Sequence, residues 1–235
     1  MFHVDAGTTY YFQVGKLTSW DSEGSVQFRL EATPQPVADF WPSPYDPSTF
    51  DDVTFNNYSW DPANVGISSI LWDFGDGTTA TDPWSPNHRY AKDGDYTVTL
   101  TVNTPDGRTA STSRTVQVRT HDVAITKFTA PQSASAGQTR QLVVGINSKR
   151  YVEEVVVELH KSVPGGYQWV GTLKQTVPLR PSNRTTEFTF NYTFTKEDAV
   201  IGKVTFKAVA MIMNARDALP ADNEAISMPT KVGKK

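Results

Sequence analysis

Residues able to do chemistry are few and scattered in this 235-residue sequence. His3, His88, His121 and His160 stand far apart. None falls in the His-Glu-x-x-His spacing that sets two zinc ligands and a base on one helical face, and no serine occupies a Gly-x-Ser-x-Gly elbow. The sequence has no cysteine. Thiol nucleophiles, disulfides and cysteine-rich zinc sites are therefore excluded. Asp73 and Asp76 are close enough to act as an acid–base pair, but they sit in Trp72-Asp73-Phe74-Gly75-Asp76-Gly77. Asp-Gly there is turn chemistry, with the carboxylate bonding its own backbone, and a structural role outweighs a catalytic one. His88 likewise reads as structural ahead of pH-sensing. The chain is expected not to be an enzyme.

Two other chemistries are open to it. Calcium takes six to eight oxygens from clustered carboxylates and loop carbonyls. Asp61, in the turn Ser59-Trp60-Asp61-Pro62, is a candidate ligand, although the following Ala63-Asn64-Val65-Gly66 adds no second carboxylate. Asp93-Gly94-Asp95 and Asp217 with Asp222 are further oxygen-rich loops without EF-hand spacing. No other cofactor is implied. The second chemistry is aromatic. Trp41, Trp60, Trp84 and Trp169 fall in or beside loops, where an indole can stack on a sugar or anchor a protein partner, or simply cap the open end of a sandwich. Three Asn-x-Ser/Thr patterns, at Asn57, Asn183 and Asn191, match the glycosylation acceptor and would matter only in a glycosylating host.

The elements that would position these residues are strands. Tyr96, Val98, Leu100 and Val102 alternate with threonines; Phe188, Phe190, Tyr192 and Phe194 alternate with polar residues; and Val204, Phe206, Ala208, Ala210 and Ile212 continue the period of two. Helix is confined to short pieces around Glu197. Ile70, Trp72 and Phe74 share one strand face, placing a large indole between two sheets. Tyr96 is expected to bury its ring as a tyrosine corner, with its hydroxyl on nearby backbone. The fold class is all-β, with two sandwiches in tandem after an N-terminal β-hairpin.

Four segments follow. Residues 1–33 carry two strand-like runs, TTYYFQV and SVQFRLEA, too little for a core of their own. Thr33-Pro34-Gln35-Pro36 stiffens the chain, and the second segment spans 36–119. The third spans 121–229, and 230–235 reads as a solvated tail. The net charge of -3 comes without a basic stripe, so nucleic acid is not the expected partner. No apolar run reaches the roughly 18 residues of a spanning helix, so membrane insertion is not expected. Polar residues after Met1 give no signal peptide, and a secreted parent would make this chain a fragment.

The second segment resembles the polycystic kidney disease (PKD) domain. The resemblance rests on Val37-Ala38-Asp39-Phe40, Ser59-Trp60-Asp61-Pro62, Ile67 through Trp72-Asp73-Phe74-Gly75-Asp76-Gly77, and Tyr90 through Gly94, Tyr96, Val98, Leu100 and Val102. It implies an immunoglobulin-like sandwich of secreted and surface proteins, and in some members calcium near the Asp-Pro turn. The third segment resembles the cell-adhesion-related (CARDB) domain, or another immunoglobulin-like module, through Asp122-Val123-Ala124-Ile125, Ala136-Gly137-Gln138 and Asp217 through Asp222-Asn223-Glu224. Asn147-Ser148-Lys149-Arg150 departs from that pattern. Residues 5–32 resemble the end of a bacterial pre-peptidase C-terminal domain. These resemblances imply a non-catalytic, extracellular or cell-surface spacer or adhesion module of a bacterial or archaeal protein, contacting protein or polysaccharide. The alternative is a substrate-binding accessory region of a secreted hydrolase, most plausibly a peptidase.

Overall fold

The computed structural model describes residues 8–12, 32–81, 85–179 and 184–234. The expected N-terminal hairpin falls almost wholly outside these residues, as does Trp84; Thr8–Phe12 are exposed chain. The described residues of 1–43, 54–88 and 96–116 form one compact unit, and those of 44–53, 89–95 and 117–235 form a second. Loops 44–53 and 89–95, inside the span 36–119 expected as one domain, cluster with the second of these units. Hydrogen bonds within that unit give the reason. Asp93 accepts from Thr120 Oγ1 at 2.6 Å and Tyr151 Oη at 2.8 Å, and Thr49 N donates to Thr120 Oγ1 at 3.0 Å.

Seven strands make up the first sandwich: β1 (Phe40–Ser43), β2 (Val53–Asn57), β3 (Ser69–Asp73), β4 (Thr79–Ala80), β5 (Asn87–His88), β6 (Gly94–Asn103) and β7 (Thr109–Val118). They form two sheets, ordered β1-β2-β5 and β4-β3-β6-β7. Period-two alternation sends Phe40, Phe55, Ile70, Trp72, Val98, Leu100 and Val102 inward, all buried. Trp72 is edge-on to Phe40 at 5.1 Å and tilted against Phe55 at 5.8 Å, so the indole fills the space between the sheets. Tyr96 departs from expectation. Its ring is half-buried, while Tyr90 is the fully buried tyrosine. The β3–β6 ladder ends at Asp73 and Thr99, so Tyr96 lies beyond the last residue that β3 could set opposite it.

Among the described residues, ten strands, one short α-helix and a 3-10 turn at Pro220–Asp222 build the second unit. The strands and helix are β8 (Val123–Thr129), β9 (Ser133–Ser135), β10 (Thr139–Ser148), β11 (Glu153–Val163), β12 (Gly166–Val177), β13 (Thr186–Thr193), α1 (Lys196–Ile201), β14 (Lys203–Val204), β15 (Phe206–Ile212), β16 (Glu224–Ile226) and β17 (Thr230–Gly233). Sheets β13-β10-β8 and β12-β11-β15-β16 enclose a core of Leu142, Val144, Ile146, Val155, Val157, Leu159, Phe188 and Phe206. A third sheet, β14-β17-β9, is built on residues expected as tail. That expectation is corrected. Thr230 and Val232 are buried, and Lys231–Gly233 pair parallel with Ser133–Ser135, because a Thr-x-Val alternation is enough to place one side chain in two inward.

The short helix carries an expected polar start. Thr195 caps α1 in a reciprocal capping box with Asp198. Burial drives the Asp198 carboxyl up, but the Thr195 amide, the Tyr192 hydroxyl at 2.6 Å and Lys161 Nζ at 2.9 Å together hold it below the ordinary range. The carboxylate thus ties helix to sheet.

Candidate functional site

The β1–β2 pair supplies the site in the first unit. Its antiparallel register sets Phe40 opposite Asn57 and Trp41 opposite Asn56, and an isolated bridge continues it to Val37 and Trp60. Backbone bonds from Tyr58 N to the Asp39 carbonyl, and in both directions between Val37 and Trp60, extend the ladder. Side chains alternate across a strand, so Phe40 and Phe55 enter the core while Trp41, Tyr58 and Trp60 leave on the opposite face. Their exposures of 49%, 59% and 56% show three rings open to solvent. Tyr58 and Trp60 are roughly 7 Å apart along one strand, and Trp41 lies diagonally across at a similar spacing.

One ring is held from behind. The Arg114 guanidinium carbon, reaching from β7, sits 3.8 Å from the Trp41 ring centroid, and its Nη2 donates to Asp39 Oδ1 at 2.7 Å. Arg114 Nε is buried without a partner. A partly exposed pair of this kind contributes at most about 1 kcal/mol, with a similar amount from the cation–ring contact. Its larger effect is to fix the indole plane in advance, which lowers the entropy lost when a ligand packs on it.

The remaining sequence candidates have structural positions. Trp41 and Trp169 lie within strands, not loops; an outward position mid-strand exposes an indole as fully as a loop does. Trp169 sits on β12 of the second unit with 60% exposure. Asp73 Oδ1 accepts from the Gly75 amide at 2.9 Å, and Asp76 Oδ1 accepts from the Thr78 amide and hydroxyl. Burial raises the Asp76 carboxyl, yet the bonds from Thr78 and His88 leave it below its usual value. His88 Nε2 lies 2.7 Å from Asp76 Oδ2, and the His88 ring stacks on Phe74 at 4.3 Å. The two aspartates thus hold the backbone of the turn, and His88 packs against it from β5.

Asp61 is occupied differently from what a calcium ligand requires. Both oxygens accept from Arg108, at 2.7 and 3.0 Å, and from the amides of Ala63, Val65 and Gly66. The Arg108 bonds foremost, opposed by burial and helped by the amides, hold its carboxyl far below the usual range. Five donors, two of them on the Arg108 cation, surround it, so the carboxylate offered in the sequence as a candidate calcium ligand is engaged within the protein. Among the described residues no three acidic or histidine side chains converge on a common metal position.

Sequence reasoning passed over Tyr58. Its signal was parity: Tyr58 and Trp60 are two apart, and the buried Phe55 fixes the opposite parity as inward.

The family model of the PKD domain matches residues 33–120, close to the span delimited by motifs. A microbial collagenase of Vibrio alginolyticus is 40% identical over 68 residues, which are 29% of this chain and 8% of that protein. The PKD1 domain of Vibrio cholerae metalloprotease PrtV is 37% identical, covering 37% of this chain and all of that domain, with a TM-score of 0.33. The CARDB domain of the Pyrococcus furiosus PF1109 protein is 14% identical, covering 48% of this chain and 90% of that one, with a TM-score of 0.38. The chain spans less than a tenth of the curated relatives it matches.

Proposed function

We propose that this chain is a non-catalytic accessory module of a secreted bacterial protease, and that its first unit holds an extracellular polymer through Trp41, Tyr58 and Trp60. The observation that carries this reading is the alignment of three exposed rings on one sheet face, one of them pinned by Arg114. Aromatic side chains present large, stiff contact area at little entropic cost, and an extended polymer offers repeating partners to a row of them. The matched relative is named a collagenase, so insoluble collagen is the first ligand to test. The module works by concentration. It keeps a linked catalytic domain close to its substrate, raising the effective local concentration without touching the reacting bond.

Co-sedimentation of the 235-residue chain with insoluble collagen fibres tests the reading. Binding should fall about tenfold for Trp41→Ala and for Trp60→Ala, with Tyr58→Ala intermediate. Binding that survives loss of all three rings would remove this face from consideration. No binding to collagen or to polysaccharide would leave the second reading, a spacer, which the two folded units support by themselves.

A further inference from the structure

The outer face of the second unit carries its own aromatic site, independent of the one proposed above. In the β11–β12 register Ser162 faces Tyr167 and His160 faces Trp169, and on the other side of β11 His160 faces Lys207. The register shifts by one residue after Leu159, and this bulge keeps Trp169 and Tyr167 on the outward parity shared by Glu158 and His160. Tyr167 and Trp169 are therefore adjacent outward rings, 43% and 60% exposed. Neither is loose. Trp169 Nε1 donates to Thr172 Oγ1 at 3.2 Å, and Lys207 Nζ lies 5.5 Å from the Tyr167 ring centroid.

The charges around the rings decide what they suit. Lys207 is 3.3 Å from Glu224, His160 is 3.3 Å from Glu158, and Lys174 is 3.9 Å from Glu154, so each cation or potential cation meets a carboxylate of the same face. Among the described residues, these pairings already neutralise the named cations, which favours a neutral polymer over a charged one. The immediate neighbours of the rings, Ser162, His160, Thr172 and Lys207, all carry hydrogen-bonding groups, unlike the charge-depleted centre of a protein–protein patch. Two flat apolar rings flanked by hydrogen-bonding groups match a sugar ring, which has an apolar face of C–H groups and a rim of hydroxyls. We propose that Tyr167 and Trp169 form a binding site for a neutral polysaccharide chain.

Native gel electrophoresis of the 235-residue chain through gels containing hydroxyethyl cellulose, glucomannan or laminarin, with alginate as the anionic polymer, tests this. At least one neutral polymer should retard the chain, and Trp169→Ala and Tyr167→Ala should each weaken the apparent affinity about tenfold. Val200→Ala, an exposed residue of α1 outside both aromatic faces, should leave that retardation unchanged. Melting curves of the variants should match the parent, since both rings are surface residues. Retardation by no neutral polymer, by alginate alone, or as strong in both ring variants as in the parent would overturn the proposal. Loss in Trp41→Ala with none in Trp169→Ala would overturn it too, and would leave the collagen test of the first unit standing on its own result.

Discussion

Two glycines in one turn provide a sharp test of why the Trp72–Gly77 motif has its composition. Gly75 has φ +78° and Gly77 has φ +90°, both in the left-handed region that an L side chain enters at a cost of roughly 1–2 kcal/mol. Their surroundings differ. A Cβ on Gly75 would lie 2.5 Å from the Thr97 carbonyl oxygen and 2.9 Å from its nitrogen, whereas one on Gly77 would meet nothing within 4 Å. Backbone atoms cannot swing aside, so the turn and β6 would have to part by about 1 Å to reach ordinary contact distance. Overpacking of that kind adds about 1–3 kcal/mol. Gly75→Ala should therefore cost about 3 kcal/mol in all, and Gly77→Ala about 1 kcal/mol. Urea unfolding followed by tryptophan fluorescence reads the first unit through Trp72, which is fully buried while Trp41 and Trp60 are exposed. With slopes of about 1–3 kcal/mol per molar urea, the midpoint should fall by about 1–3 M for Gly75→Ala and by about a third of that for Gly77→Ala. Equal shifts, or a larger one at Gly77, would show that close approach to Thr97 is not what selects glycine.

Three further outcomes follow from the described contacts. Asp61→Asn should lower the melting temperature of the first unit at pH 7. Because its carboxyl titrates lower in the fold than in the unfolded chain, that stabilisation is complete above about pH 4 and fades as pH falls below it; an identical acid profile in the variant would refute the Arg108 clamp. Asp122 behaves oppositely. Burial, then the charges of Asp222 and Asp217, raise its carboxyl to about 6, so the fold binds that proton more tightly and loses stability as pH climbs from about 4 to 6. Asp122→Asn should melt higher than the parent above pH 6 and alike near pH 4, and a uniform offset would count against this assignment. Truncation after Pro229 removes buried Thr230 and Val232 and should lower the melting temperature of the second unit by about 5 °C or more; an unchanged melt would return those residues to the status of a tail.

Much of the fold was legible because its signals are local. Ile70, Trp72 and Phe74 announce one inward face, Asp76-Gly77 announces a turn, and the Tyr96–Val102 alternation announces the strand that pairs with it. What sequence missed depends on partners distant in the chain. Nothing near Asp61 says that Arg108, 47 positions on, will take both its oxygens. Thr230 and Val232 are too few to signal a strand until β9 and β14 are beside them. The exposed site was half legible for a related reason: tryptophans attract attention by type, whereas Tyr58 matters through register, which requires knowing that Phe40 and Phe55 both point inward. Trp169 was placed beside a loop because the β11–β12 bulge that sets its parity leaves no mark in the residues themselves.

The β9–β17 pairing has a mechanical consequence. Its strands run parallel, with Lys231 N donating to the Gln132 carbonyl and Ala136 N to that of Gly233. Tension applied where the chain enters β9 and where it leaves β17 pulls the two strands lengthwise past each other. The antiparallel β8–β10 edge can open like a zipper, one bond after another, but a parallel pair under such a load must give up its bonds together. Under a load applied between those two points, the residues of β17 would act as a latch.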